Sequence, residues 1–344
     1  MHNQKIIVTD HCKEFVELFI PKNWINKYEI IDTSSFENIK NDYFKEIYYL
    51  SDSGYDSVSK KIDNPNYGSC HKLSKLCNNK YNCREVMTTL KDIPFKKCID
   101  GYIKWENKDE KLIAKPVNGT GSKDLFIVKD GDKINIGKNQ TYIVEKYIDD
   151  KFPKVSVDGF ICGDKIDILS IWDNIYHEDE PTKLYGLSFP SKYSECKFLK
   201  NKYIEVVKEL KEKTNCNNQV IDIEFFIVNN EAYVMEINPR IGGNYLPIYH
   251  VTGYNPFTVN ESLQNNKIPE KSSKTGLGYC RYNYGIQNMK DNVIRRGKNI
   301  FSIYTEKYYH TYVYSYYNKK LQNLKYIANK EFKRINMNYN LENS

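Results

Sequence analysis

Residues 234–244 read VMEINPRIGGN, and Glu236, Asn238 and Arg240 take alternate positions of its apolar run. A period of two puts all three on one face of a strand. Just upstream, VIDIEFFIV and EAYVMEIN flank Asn229–Asn230, a strong hairpin signal. Folding the chain there brings Glu224 opposite Glu236 or its neighbour, with Asp222 on the face that carries Glu224. Two carboxylates this close inside an apolar sheet repel and resist ionising. A divalent cation removes the repulsion, and the oxygens of Glu224, Glu236 and Asn238 suit Mg²⁺. Arg240 adds a planar fork that fits a phosphate, and Gly242–Gly243 permits close backbone approach to a ligand. The competing reading is a solvated outer face of an ordinary amphipathic hairpin.

A second phosphate element is LIAKPVNGTGSKDL, residues 112–125. Lys115 ends a strand and is followed by a loop of Asn118, Gly119, Thr120, Gly121 and Ser122. Free backbone N–H groups in such a loop cradle phosphate oxygens, and the Lys reaches the phosphate chain. It is not a Walker loop, because the Lys precedes the glycines. A plain hairpin turn would look similar.

These groups need a scaffold. KLIAKPV, LFIVKD and TYIVEKYI read as strands of a small β unit around the glycine loop. KVSVDGFI and KIDILSIW are expected to pair around Cys162–Asp164. Residues 196–213 place Leu199, Tyr203, Val206, Val207 and Leu210 on one helical face. In residues 1–60, QKIIVT, YEIID and EIYYLS read as strands and HCKEFVELFI as a helix ending at Pro21, which suggests a small α/β unit. NKYNCREVMTTLKDIP is expected to be one helix stopped near Pro94, and NPFTVNESLQNN a short helix. The last 70 residues or so offer a Tyr-rich β-like stretch from GLGYCRYNYGI and a basic amphipathic helix from about 320.

The chain of 344 residues is long enough for two or three domains, and 40% hydrophobic with 28% charged residues is a globular balance. The net charge of +7 suits an anionic ligand such as a nucleotide. A nucleic-acid-binding protein is the reading from a different class, prompted by TEKYYHTYVYSYYNKK at 305–320, but the basic residues are too few and too dispersed to favour it. No run approaches a membrane span and no signal peptide precedes QKIIVTD, so a cytoplasmic protein with reduced thiols is expected. Cys70, His71, Cys77 and Cys83 fit no common zinc spacing.

The segments IAKPVNGTGSKDLFIV, YIVEKYI and VIDIEFFIVNNEAYVMEINPRIGGNYLP, in this order, resemble an ATP-grasp enzyme. SVDGFI and EINPRIGG are most similar to the carboxylate–amine ligase branch, and the resemblance runs from about Asn79 to Leu263. It implies an α+β ATP-grasp fold, two lobes gripping a nucleotide. The expected division is an α/β domain at 1–75, an ATP-grasp domain at 76–270 with residues 100–148 as its lid lobe, and a Tyr-rich extension at 271–344 packed on the large lobe. The resemblance assigns phosphate contacts to Lys80 and Lys115, and a closing loop to Asn118–Ser122. It puts Glu145 near the adenine amino group and the backbone of Tyr147 and Ile148 along the ring. Glu224, Glu236 and Asn238 would hold two Mg²⁺ ions, with Mn²⁺ as a substitute, and Arg240 would stabilise the transferring phosphoryl group. Asp124 stands where the family loop usually has glycine, although Asp tolerates left-handed backbone. Lys154 stands where many relatives carry an acidic ribose contact, a role left to Asp149, Asp150 or neither.

The implied activity joins a carboxylate to an amine, amino acids among the candidates, through an acyl phosphate, with release of ADP and phosphate. An ATP-grasp kinase acting on a hydroxyl is the alternative enzyme. No residue is required as general base, and the lone His177 and His250 read as structural or surface groups.

Overall fold

The computed structural model describes residues 5–11, 13–25, 27–38, 46–64, 68–106, 109–119, 124–137, 140–176, 184–242, 249–271, 276–284, 292–297, 300–304, 308–315 and 324–330. The short apolar runs near the start form a parallel sheet of β1 (Lys5–Val8), β2 (Tyr28–Ile31) and β3 (Glu46–Tyr49), in the order β2-β1-β3. Helices α1 (Lys13–Glu17) and α2 (Thr33–Glu37) lie between them, and α3 (Asp52–Lys61) follows β3. The helix expected over 11–20 shrinks to α1: the Phe19 N–H turns back to the Val16 carbonyl at 3.0 Å and the chain then meets Pro21. Ser51 caps α3, its Oγ accepting the Gly54 N–H at 3.0 Å. A Cβ on Gly54 would lie 2.6 Å from the Val8 carbonyl oxygen, so glycine is what lets α3 start directly against the end of β1.

Helices α4 (His71–Asn78) and α5 (Lys80–Val86) come next, with Asn79 capping α5 through the Asn82 N–H at 2.8 Å. The single helix expected from 79 to 94 ends at Val86 and gives way to a 3₁₀ turn over Thr88–Leu90. The cause is long-range: Glu209 accepts the N–H groups of Thr88 at 2.7 Å and Thr89 at 2.9 Å, which draws them out of a continuing α-helix.

The small sheet consists of β4 (Phe95–Cys98), β5 (Leu112–Pro116), β6 (Phe126–Val128) and β7 (Tyr142–Lys146), in the order β4-β7-β5-β6. Its own core gathers Leu112, Ala114, Val128, Tyr142 and Val144. Asp124 has φ 55°, the left-handed conformation that a glycine would otherwise supply.

The large sheet is built from β8 (Lys154–Cys162), β9 (Lys165–Tyr176), β10 (Leu184–Phe189), β11 (Asn218–Val228), β12 (Glu231–Asn238), β13 (Leu277–Tyr284), β14 (Asn292–Gly297), β15 (Ile300–Tyr304) and β16 (Tyr308–Ser315). Their order is β12-β11-β8-β9-β10-β13-β16-β15-β14, separate from the small sheet. Helix α6 (Lys197–Thr214) covers one face, with Leu199, Tyr203, Val206, Val207 and Leu210 fully buried against Val155, Val157, Ile221 and Ile223. Helix α7 (Tyr249–Thr252) and α8 (Pro256–Gln264), capped by Asn255, help to cover the other face together with the N-terminal unit. Lys5 ties the two together, donating to Glu46 on β3 and to Glu261 on α8 at 2.8 Å.

Candidate active site

The Asn229–Asn230 turn has φ values of 51° and 65°, so both asparagines take the left-handed backbone of a tight hairpin. The hairpin register pairs Glu224 with Glu236 and Asp222 with Asn238, followed by a bulge after Glu224. On the other side, β11 pairs with β8 so that Asp222 faces Asp158 and Glu224 faces Ser156. The alternation that sends Val155, Val157, Ile221 and Ile223 under α6 therefore sends Ser156, Asp158, Asp222 and Glu224 to the opposite face. The inner part of that face is closed to solvent, Asp158 being 0% exposed and Asp222 3%, and Glu224, Glu236 and Asn238 beside them are half-buried. The amphipathic-surface reading fails on those values.

Burial first, then Asp222 and Glu236, push the Glu224 carboxyl up to about 8. Burial likewise lifts Asp222 to about 7 against the pull of the Arg240 guanidinium, and Asp158 is raised well above the usual range by burial and by Asp222. Among the described residues, Asp158 Oδ2 and Asp222 Oδ1 have no hydrogen-bond partner. Crowded carboxylates with spare oxygens fit a hard divalent cation, so Glu224, Glu236 and Asn238 remain the donors that could hold Mg²⁺. Among the described residues, no three His, Cys, Asp or Glu side chains already form a metal shell.

Arg240 lies just past β12, is 8% exposed, and is held on three sides. Its Nε and one terminal nitrogen donate to the two Asp52 carboxylate oxygens at 2.5 and 2.7 Å, and the other terminal nitrogen donates to the Ile241 carbonyl at 2.9 Å. The Gly242 N–H donates to Asp158 Oδ1 at 3.0 Å, and a Cβ at Gly242 would sit 3.0 Å from the Asp222 carboxyl. Glycine is what allows this backbone to fold over the carboxylates.

A second cluster joins the small sheet to β12. Lys115 faces Ile143 and Ile113 faces Glu145, so Lys115 and Glu145 are diagonal neighbours on one face. Lys115 Nζ donates to Glu145 Oε2 at 2.7 Å, and Arg84 Nε donates to the other oxygen. Burial would raise Glu145, but Arg84 and Lys115 outweigh it and hold the carboxyl at about 2. Arg84 also donates to the Val234 carbonyl of β12 at 2.9 Å. One turn before it on α5, Lys80 lies 3.0 Å from Glu236 Oε1 and donates to the Gly119 carbonyl. Lys80, Lys115, Glu145 and Glu236 thus converge on one seam, where Lys80, Arg84, Glu145, Val234 and Glu236 line a cavity.

The other expected residues fall around this seam. Asn118 is exposed at the end of the strand turn, while Thr120, Gly121 and Ser122 lie outside the described residues. Glu145 points to two cations, the Tyr147 N–H is already given to the Lys111 carbonyl at 3.0 Å, and half-buried Ile148 follows. Asp150 is tied to Lys154 Nζ at 2.6 Å, and Asp149 caps Lys151 N–H at 2.9 Å. His177 and the His250 side chain lie outside the described residues. Cys70, Cys77 and Cys83 are buried in the core that includes α6. Sequence reasoning missed Arg84, Asp158 and Asp52. Arg84 is four residues from Lys80, a helical repeat, and Asp158 alternates with Ser156, but nothing local points to Asp52.

The profile of the ATP-grasp domain family matches residues 77–244. A D-alanine–D-alanine ligase of Campylobacter lari is 27% identical over 188 residues, 48% of this chain and 50% of that one, so the chain spans about half the length of this curated relative. Among solved structures, phosphoribosylglycinamide synthetase from Anaerococcus prevotii superposes with a TM-score of 0.65 at 15% identity, covering 95% of this chain and 98% of the other. An L-amino acid ligase from Bacillus licheniformis gives 0.64 at 13% identity, covering 96% and 98%. Among the described residues, no helix is long and apolar enough to cross a membrane. Residues 77–244, which carry Lys80, Arg84, Lys115, Glu145, Asp158, Asp222, Glu224, Glu236 and Arg240, thus match an ATP-grasp domain, and the chain as a whole shares the fold of these ligases.

Proposed function

We propose that the protein is an ATP-dependent carboxylate–amine ligase that works through an acyl phosphate and releases ADP and phosphate. The observation that carries this reading is the pairing of half-buried Glu224 with Glu236 beside buried Asp158 and Asp222, on a face that ends at Arg240. Such a face is charge-frustrated without a cation and supplies oxygen donors at one end and a guanidinium at the other. The names of two relatives, a D-alanine–D-alanine ligase and an L-amino acid ligase, favour amino acids as the acid and the amine.

A substrate carboxylate oxygen would attack the γ-phosphorus of ATP, forming a new P–O bond while the bond to ADP breaks. The amine would then attack the acyl carbon, phosphate would leave, and the amine would give up a proton. Lys115, Lys80 and Arg240 offset negative charge on phosphate oxygens, usually the largest source of rate enhancement in such transfers. Bound Mg²⁺ at Glu224, Glu236 and Asn238 would supply further charge neutralisation. The segment over residues 100–148 would act as the lid that keeps water from a hydrolysable intermediate. Glu145, on the neighbouring strand, holds the Lys115 ammonium at the seam.

Incubation with ATP, Mg²⁺ and a panel of amino acids should give ADP and phosphate, and hydroxylamine added during turnover should trap a hydroxamate. AMP and pyrophosphate would overturn the mechanism. ADP with a stable phosphorylated alcohol would move the protein to the kinase class.

A further inference from the structure

We propose that Asp52 is a positioning residue for phosphoryl transfer: the N-terminal α/β unit, through this carboxylate, aims the Arg240 guanidinium at the transferring phosphate. The inference rests on the role given to Arg240 above. A guanidinium has five N–H donors in a fixed plane. In this structure Asp52 takes one from Nε and one from a terminal nitrogen, and the Ile241 carbonyl takes one from the other terminal nitrogen. Each terminal nitrogen keeps one hydrogen for a further acceptor, such as an oxygen of a phosphate. Asp52 therefore orients the group while a donor stays available on each terminal nitrogen.

The geometry is built from three places in the chain. Asp52 opens α3 directly after β3, and Ser51 fixes that helix start by capping it. Gly54 lets the helix begin against the end of β1, where any Cβ would collide with the Val8 carbonyl. Arg240 comes from the far end of β12, and Asp222 Oδ2 stands 3.9 Å from it on the other side. Burial raises the Asp52 carboxyl, but the guanidinium more than offsets this and leaves it below its ordinary value, so both partners are charged at neutral pH. A long arginine side chain would otherwise sample several rotamers. Because Asp52 opens α3 of the N-terminal unit, outside the ATP-grasp segment at 77–244, the position of the guanidinium depends on how that unit docks against the large sheet.

The test is kinetic. Asp52→Asn should lower kcat by roughly 10²-fold, comparable to the loss of one transition-state donor, with KM for ATP within about threefold of wild type. The double variant Asp52→Asn with Arg240→Lys should be no slower than Arg240→Lys alone, since Asp52 acts only through Arg240. A purely structural pair would not give this pattern. Asp52→Asn at wild-type kcat, or losses that multiply in the double variant, would overturn the proposal. If Asp52→Asn does not fold, Asp52→Glu keeps the charge, moves the fork, and should still lower kcat at unchanged KM. If the wild type turns over no acid, the proposed function falls, and nitrogen-15 spectra decide the pairing separately. The Arg240 Nε–H should exchange slowly in wild type and quickly in the Asn variant, and fast exchange in wild type would refute the clamp.

Discussion

Glu145→Gln offers a quantitative probe of the seam. Glu145 is 3% exposed and bridges Arg84 and Lys115, whose side chains are themselves largely buried. Against burial, those two cations bring the carboxyl from an ordinary 4.5 to about 2. At about 1.4 kcal/mol per pH unit, that depression is worth ~3 kcal/mol of folding stability at pH 7. A carboxyl whose folded value lies below its unfolded one contributes in full above the unfolded value, and the contribution is lost as pH falls toward the folded one. The window here is pH 4.5 down to 2. Glutamine cannot carry the charge, so the variant should be less stable than wild type by ~3 kcal/mol at neutral pH, and the gap should narrow to ~2 kcal/mol by about pH 3.5. Loss of one partner from a buried ion pair commonly costs about 3–5 kcal/mol, so the neutral-pH figure is at the lower end of that range. Urea unfolding of nucleotide-free protein at several pH values measures the gap directly. An equal gap at neutral and acid pH, or none at neutral pH, would refute the ion-pair account of this residue.

Glu236→Gln should abolish turnover at ordinary Mg²⁺ while leaving the sheet intact, and equal activity of variant and wild type across a Mg²⁺ titration would remove Glu236 from the site. In metal-free protein at neutral pH Glu224→Gln should raise the thermal midpoint, because a carboxyl lifted from 4.5 to about 8 stays protonated when folded and ionises on unfolding, a gain for the unfolded chain that glutamine removes. Lys115→Ala should lose at least ~10²-fold in rate of ADP release, and Arg240→Lys should also be slow because an ammonium cannot form the two-pronged contact. Gly242→Ala puts a methyl group 3.0 Å from the Asp222 carboxyl and should destabilise by about 1–3 kcal/mol, which denaturant unfolding will show.

Where local patterning carried the information, the sequence was legible. The Asn-Asn turn fixed the β11–β12 register, alternation separated the face under α6 from the carboxylate face, and a 3.6-residue period found all five core positions of α6. Asp124 is left-handed where glycine was expected. The helices at 11–20 and 79–94 were over-extended for different reasons. One ran into a tight turn before Pro21, and the other lost its backbone donors to Glu209, more than a hundred residues away. No local propensity can report the second effect, because the competing acceptor comes from another helix.

The same limit explains the candidate site. Glu224, Glu236, Asn238 and Arg240 stand at strand spacing on one hairpin, so a period of two was enough to group them. Their electrostatic state was not readable, since it depends on Asp158 arriving from β8 and on the burial of Asp222. On an isolated hairpin, the site face would show Asp222, Glu224 and Glu236 with one base, a guanidinium free to meet the carboxylates beside it. In the folded chain Asp52 captures Arg240 first, and at Glu224 burial, Asp222 and Glu236 outweigh the pull of Arg240 and Lys154. Glu236 meets Lys80 instead, which also holds the Gly119 carbonyl of the loop. Each cation is thus spoken for by a residue distant in sequence. The carboxylate face that remains under-neutralised lies between them, and that imbalance makes the face chemically suited to a cation and a phosphate chain.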